Sequence, residues 1–216
     1  MFNRRRLLLA SAAALAGLPT YAWYIEPHWL QFVHRDLPVR GLPAALEGAL
    51  LAHLTDLHIG RDVSEAYLAQ VFRRVAALQP DIVALTGDFT SFHPEVVAQA
   101  ERVLAGLPRG RLATVGVLGN HDYGHGPSWS DYAHADRLAA ALEGQGIQLL
   151  RNQRLEVAGL QLVGLDDLWS GRFHLGAALA DLDPSSPALA LCHNPDSADQ
   201  PGWEPFRGWI LARHTH

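Results

Sequence analysis

Five short apolar runs in this chain each stop at residues able to ligate a metal, and no other feature constrains the fold as much. Leu50-Leu51-Ala52-His53-Leu54 leads into Asp56 and His58. Ile82 to Thr86 leads into Gly87-Asp88, and Val115 to Leu118 leads into Gly119-Asn120-His121-Asp122. Ala188 to Cys192 leads into His193, and Trp209 to Ala212 leads into His214 and His216. Unbroken apolar runs of this length read as strands buried on both faces. In open α/β sheets, sites form at the carboxyl ends of strands. The pattern therefore describes one site spread over five strand ends.

The segments between the runs fill in the class. Ser64 is an N-cap for a helix with Leu68, Val71, Phe72, Val75 and Leu78 on one face, ended by Pro80. Residues 94–104 read as a second helix with Val96, Val97, Ala100, Val103 and Leu104 inward, and 131–143 as a third, closed by Gly144 and Gly146. After Gly146 the pattern turns to short strands, with Ala158-Gly159 as a tight hairpin turn between two of them. Strand–helix alternation followed by hairpins predicts a layered α/β domain with mixed sheets.

A length of 216 residues suits one domain with a substantial core. The 49% hydrophobic and 18% charged content fits a globular protein rather than a disordered one. A net charge of −5 gives no global case for nucleic-acid binding, and none is expected as a partner. The single cysteine, Cys192, excludes an intrachain disulfide. The N-terminus reads differently. Arg4-Arg5-Arg6 precedes an apolar stretch from Leu7 to Leu18, and Thr20-Tyr21-Ala22 resembles a cleavage site. Residues 1–25 are therefore an export signal, with adjacent arginines suiting a twin-arginine type, or else an uncleaved membrane anchor. Residues 26–46, with Pro27, Pro38 and Pro43, form a connector, and 47–216 the functional domain. Arginines on the inner side orient that domain outside the cytoplasm: periplasmic, or on the outer face of the inner membrane.

The ligands are mixed. Asp56 and His58, two apart just past a strand, share a face if the backbone stays extended. Asp88 can bridge two cations through its two oxygens, and Gly87 before it permits a tight approach. Asn120 offers an amide oxygen; His193, His214 and His216 offer imidazole nitrogens. A mixed N/O set suits Mn²⁺, Fe or Zn²⁺ better than an all-oxygen cage. Seven ligands exceed what one tetrahedral zinc takes, so two ions sharing Asp88 is the economical arrangement. Two-metal sites of this kind belong to phosphatases, nucleases and related hydrolases, in which an activated hydroxide attacks phosphorus in line.

D-x-H, G-D, G-N-H-D, a lone H and a final H-x-H resemble the calcineurin-like metallophosphoesterase family, over residues 41–216. Within it, the L-x-D-L-H opening and the leader resemble the membrane-associated YaeI/YkuE-like phosphodiesterase branch. The resemblance implies a four-layer α/β/β/α sandwich with two mixed sheets. It implies one metal on Asp56, His58, Asp88 and His216, and another on Asp88, Asn120, His193 and His214. His121 would stabilise the phosphoryl oxygens or protonate the leaving group, with Asp122 orienting it. The implied activity is phosphodiesterase, on a phosphodiester or pyrophosphate substrate, lipid-linked ones included, by a monomer that works at a membrane surface. Two alternatives stand beside it: a UDP-2,3-diacylglucosamine pyrophosphatase-type hydrolase of lipid A synthesis, or a degenerate relative that binds metal without catalysis. Relatives carry Gly where this chain has Arg213 and continue past the last histidine. Arg213 is therefore expected to be strained if its φ is positive, and the domain is expected to lack its C-terminal strands.

Other polar residues read more plainly. His53 is expected to be packed within its strand, and His93, His125, His134 and His174 to lie on loops or the surface. Asp166-Asp167 reads as a turn or as a contact to the site loops. Cys192 and His193, as strand neighbours, point to opposite faces and form no dyad. Trp129, Trp169, Trp203 and Trp209 read as ordinary packing, with an apolar rim for a lipid as the alternative.

Overall fold

The computed structural model of the chain describes Gly17 and residues 30–60, 63–93, 95–124 and 130–214. The leader read at 1–25 falls outside the described residues apart from Gly17, as do His125, Trp129 and His216. No helix among the described residues is long and apolar enough to cross a membrane. One unit covers Met1–Asp36; the site lies in a second compact unit, Leu37–His216.

Strands β1 (Leu51–Leu54), β2 (Ile82–Thr86), β3 (Ala113–Val117) and β4 (Gln148–Leu149) form the first sheet in that order. Every pairing in it is parallel, as strand–helix alternation requires. The connections are α1 (Glu65–Ala76), α2 (Val96–Leu104) and α3 (Tyr132–Gly144). The second sheet runs β5 (Gln153–Val157), β6 (Leu160–Gly164), β7 (Ala188–Leu191) and β8 (Trp209–Leu211). It is the mixed one: β5 is antiparallel to β6, and the rest are parallel. The hairpin is tight because Ala158 and Gly159 both take positive φ, 50° and 85°, which matches the twist of the flanking strands. A short helix, α4 (Leu175–Ala178), follows β6.

Side-chain alternation explains the layers. Ile82 and Ala84 of β2 and Ala113, Val115 and Val117 of β3 bury one face against Val157, Leu160, Leu162, Leu189 and Leu191 of the second sheet. Each such Leu, Ile or Val contributes roughly 1.5–3 kcal/mol through burial, so this layer binds the two sheets. Val83 and Leu85 point the other way and are equally buried. Right-handed crossovers put α1, α2 and α3 on that side. The outer face of the second sheet buries Val163, Leu165, Ala188 and Ala190 with Leu175, Leu179 and Phe206. This is the α/β/β/α order.

Local sequence sets the helix ends. Ser64 caps α1 by accepting from Tyr67 N, and Asp131 caps α3 by accepting from His134 N. Leu68, Phe72 and Val75 are buried as expected, but Leu78 is exposed because the helix ends before it. His134 is buried in α3, its ring 5.0 Å from that of Phe92, rather than on the surface. His53 is exposed on β1, not packed, and reaches Thr86 Oγ1 at 2.7 Å. The connector is not wholly outside the fold. Leu46 is buried between the sheets, with Val39 and Leu42 against it.

Candidate metal centre

The loops after β1 and β2 continue to pair where the strands stop. Asp56 N donates to Gly87 O, His58 N to Asp88 O and Ile59 N to Phe89 O, at 3.1, 3.0 and 2.9 Å. This zip draws Asp56, His58 and Asp88 together. All three have left-handed backbones, with φ of 52°, 42° and 51°. Asp56 and His58 therefore converge through a strained turn, not through the alternation of an extended strand. Such strain persists only where surrounding bonds over-determine it.

Two glycines make the approach of the loops after β2 and β3 feasible. Gly87 has φ of 86°, and a Cβ on it would sit 2.5 Å from Gly119 N. A Cβ on Gly119 would sit 2.2 Å from Asp88 Oδ1. That oxygen instead accepts from His121 N at 2.9 Å. Asp122 closes the same junction. It is fully buried and accepts from Gly119 N, Phe89 N, Thr90 N and Thr90 Oγ1, between 2.9 and 3.3 Å. These bonds tie the loops to each other; none of them goes to the His121 ring. Burial, with the charge of Asp88, pushes the Asp122 carboxyl up to about 7 against the pull of its backbone donors.

Asp88 Oδ2 is the centre of the arrangement. It is buried and makes no hydrogen bond. His58 Nε2 stands 3.7 Å from it and His193 Nε2 3.3 Å. Asp56 Oδ1 is 3.7 Å from His58 Nε2, and Thr55 Oγ1 donates to Asp56 Oδ2 at 2.7 Å. Two groups with converging ligand atoms result: Asp56, His58 and Asp88, and Asp88, His193 and His214. Asp88 belongs to both.

His193 tests whether a cation fits. Its Nδ1 lies 2.8 Å from Thr86 O. A neutral imidazole that donates from Nδ1 offers a lone pair at Nε2. That Nε2 lies 3.1 Å from Asn120 Oδ1, 2.7 Å from His214 Nδ1 and 3.3 Å from Asp88 Oδ2. Electron-rich atoms crowded in a buried space need positive charge among them. Burial alone would lower the pKa of His193, yet Asp88, with the Thr86 carbonyl and the charge of Asp167, outweighs it and lifts it to about 9. Asp56 likewise raises the pKa of His58 against burial. A site that stabilises imidazolium also stabilises a divalent cation, so the residues fit the expected pair of metals.

The structure thus brings together Asp56, His58, Asp88, Asn120, His193 and His214 as expected, with the His121 ring edge-to-face on His58 at 5.0 Å. Arg213 is not among the described residues with positive φ, so the strain expected of it is absent. Its carbonyl lies 3.4 Å from Thr55 Oγ1. Cys192 points away into the outer core, where burial raises its thiol to about 12.

Several supporting groups were not singled out from sequence. The Thr86 carbonyl and Thr55 hydroxyl are generic strand-end groups and carry no signal of their own. Tyr123, just past His121, donates to Asp166, while Arg151 bonds Tyr123 Oη and Asp166 Oδ2 at 2.9 and 3.4 Å. Asp167 is buried, with Oδ1 accepting from Trp169 N at 2.8 Å. Trp169 stands edge-to-face on His214, ring centroids 5.0 Å apart. Trp203 packs against Phe206, and Trp209 donates to Pro38 O.

Two carboxylate–histidine groups sharing one aspartate, at the strand ends of a two-sheet sandwich, define a dinuclear metallohydrolase. The chain belongs to the calcineurin-like phosphoesterase family, whose model matches residues 49–214. It is 31% identical over 223 residues to the phosphodiesterase YaeI of Escherichia coli K12, covering 100% of this chain and 78% of that one. It is 26% identical over 259 residues to the UDP-2,3-diacylglucosamine pyrophosphatase LpxG of Chlamydia trachomatis, covering 97% and 77%. It is 27% identical over 219 residues to the metallophosphoesterase YkuE of Bacillus subtilis, covering 97% and 72%. The protein is a hydrolase acting on phosphoester bonds, with a site for two divalent metal ions.

Proposed function

We propose that this chain cleaves a phosphodiester or pyrophosphate bond in a lipid-linked substrate, outside the cytoplasm and next to a membrane. The observation that carries the chemistry is the sharing of Asp88 by two ligand groups. The relatives named for phosphodiester and nucleotide–lipid pyrophosphate cleavage support the substrate class. The basic and apolar leader at residues 1–25 supports the location. The mixed N/O ligand set favours Mn²⁺, Fe or Zn²⁺. The reading keeps a monomer with no nucleic-acid partner.

Two divalent cations held there supply an acidified water and a clamp on the phosphoryl oxygens. The chain's own residues do the rest. Asp56 and His58 take one side, and Asn120, His193 and His214 the other, with His216 assigned to the Asp56 side. The Thr86 carbonyl fixes the His193 tautomer so that Nε2 faces inward. His121, beside His58, holds a proton for the leaving oxygen or bonds a phosphoryl oxygen. The loops crossing at Gly87 and Gly119 exclude water behind Asp88.

Purified protein with Mn²⁺ and a chromogenic bis-aryl phosphate tests the activity. Turnover that disappears with a chelator and returns with metal is expected. No turnover from a folded sample holding two metals overturns it, and would favour the degenerate, non-catalytic alternative. A diacylated nucleotide–sugar pyrophosphate, compared with its deacylated form, tests the lipid. Equal kcat/KM for the two removes the lipid-linked part of the reading.

A further inference from the structure

The two sides of the metal centre are unequal in charge. The first side has its own carboxylate, Asp56, besides the shared Asp88. The second has Asn120, His193 and His214, which are neutral as ligands, and only a share of Asp88. Two divalent ions would be held by two carboxylates, one shared and the other on the first side alone.

Asp167 comes from the sheet end that also delivers His193. It follows β6, which runs parallel to β7 with Gly164 opposite Leu191, so both strands deliver their next residues to the same end of the sheet. The ladder continues past the strand with Leu165 N donating to Leu191 O at 3.0 Å. His193 leaves β7 at that end. The chain then turns through Asp167, whose carbonyl accepts from Ser170 N and Ser170 Oγ at 3.2 and 2.7 Å. This turn sets Trp169 against the His214 ring. Asp167 lies in the electrostatic field of both His193 and Asp88.

Asp167 is 1% exposed, one oxygen is held by Trp169 N, and Oδ2 makes no hydrogen bond. A buried carboxylate oxygen without a partner is costly, and folding alone would favour an amide or an apolar side chain there. A cation beside it removes the cost.

We propose that Asp167 is a further residue of the metal centre, its buried and unbonded Oδ2 giving the His193–His214 side the negative charge its ligands lack. This rests on the dinuclear reading above. Asp167 is a positioning residue: it acts on the second cation's affinity, not on the reacting atoms.

Asp167→Asn keeps the shape and the bond to Trp169 N while removing the charge. Titration of apo protein with Mn²⁺, read by calorimetry and by metal content after dialysis, is the test. The variant is expected to bind its first equivalent like the native protein and its second roughly 10-fold or more weakly, as for lost supporting carboxylates at metal sites. Thermal melts separate this from a structural role. Apo Asp167→Asn is expected to melt at or above the native apo protein, and the metal-loaded variant below the native loaded form. Unchanged affinity for the second equivalent, or equal weakening of both, overturns the proposal, as does a lower apo melting temperature. Native protein that binds fewer than two equivalents overturns the dinuclear reading itself, and this inference with it.

Discussion

His193 Nδ1 stands 2.8 Å from the carbonyl oxygen of Thr86, the last residue of β2, so one sheet fixes the ring orientation of a ligand carried by the other. The bond commits Nδ1 and leaves Nε2 to face Asp88 at 3.3 Å. His193→Ala is expected to hold one metal, on Asp56, His58 and Asp88. Asp88→Ala is expected to hold none, because both ligand groups include it. Metal content of the two purified variants decides this. Near two equivalents in Asp88→Ala would rule out the bridge.

His121 contributes its backbone to Asp88 and its ring to the space beside His58. His121→Ala keeps the backbone bond and loses only the ring. It is expected to retain both metals while kcat falls by roughly 10²–10⁴, the range for a lost acid–base group. Loss of metal in step with rate would make the ring a ligand instead.

Asp122 joins the loops after β2 and β3 through Gly119, Phe89 and Thr90. Asp122→Ala would leave those buried donors unbonded. A loss on the order of 3 kcal/mol in urea unfolding is expected, since breaking charged hydrogen bonds in a core is costly. A change under about 1 kcal/mol would mean that water replaces the carboxylate.

The candidate site was legible because each candidate ligand follows an apolar run, and parallel strands deliver their ends to one edge. The first sheet followed from strand–helix alternation, and the mixed second sheet from the Ala158-Gly159 turn. What stayed hidden was local. Left-handed φ at Asp56, His58 and Asp88 is rare for residues with a Cβ, and no neighbour announces it. Asp122 sits beside His121 in sequence, which suggests a contact with its ring. In space its oxygens accept from Gly119 N, three residues back, and from Phe89 N and Thr90 N more than thirty residues away, which no local signal announces. An Asp-Asp pair after a strand reads as a turn or as a contact to the site loops, and the burial of Asp167 shows only in the structure. His134 lies among alanines, and its polar character concealed a core position.

Asp81 anchors the other end of the first sheet. It accepts from Leu50 N at 2.9 Å and from Arg111 Nε at 3.0 Å, and these bonds hold its carboxyl below the ordinary value. A depressed folded pKa adds stability above the unfolded value of about 3.9, and that stability is lost as pH falls through the folded value. Asp81→Asn is therefore expected to melt below the native protein at neutral pH, and the gap to close in acid. Melting curves at a series of pH values check it; a gap that stays constant into acid would show that the charge contributes nothing.

The two oxygens of Asp88 face different worlds. Oδ1 grips the backbone of His121, while Oδ2 points into the ligand cluster. One rigid carboxylate thus couples the backbone of His121 to the cluster of candidate ligands. A shift of the loop that carries His121 would therefore reach Oδ2 through a single covalent group rather than through two loops folding independently.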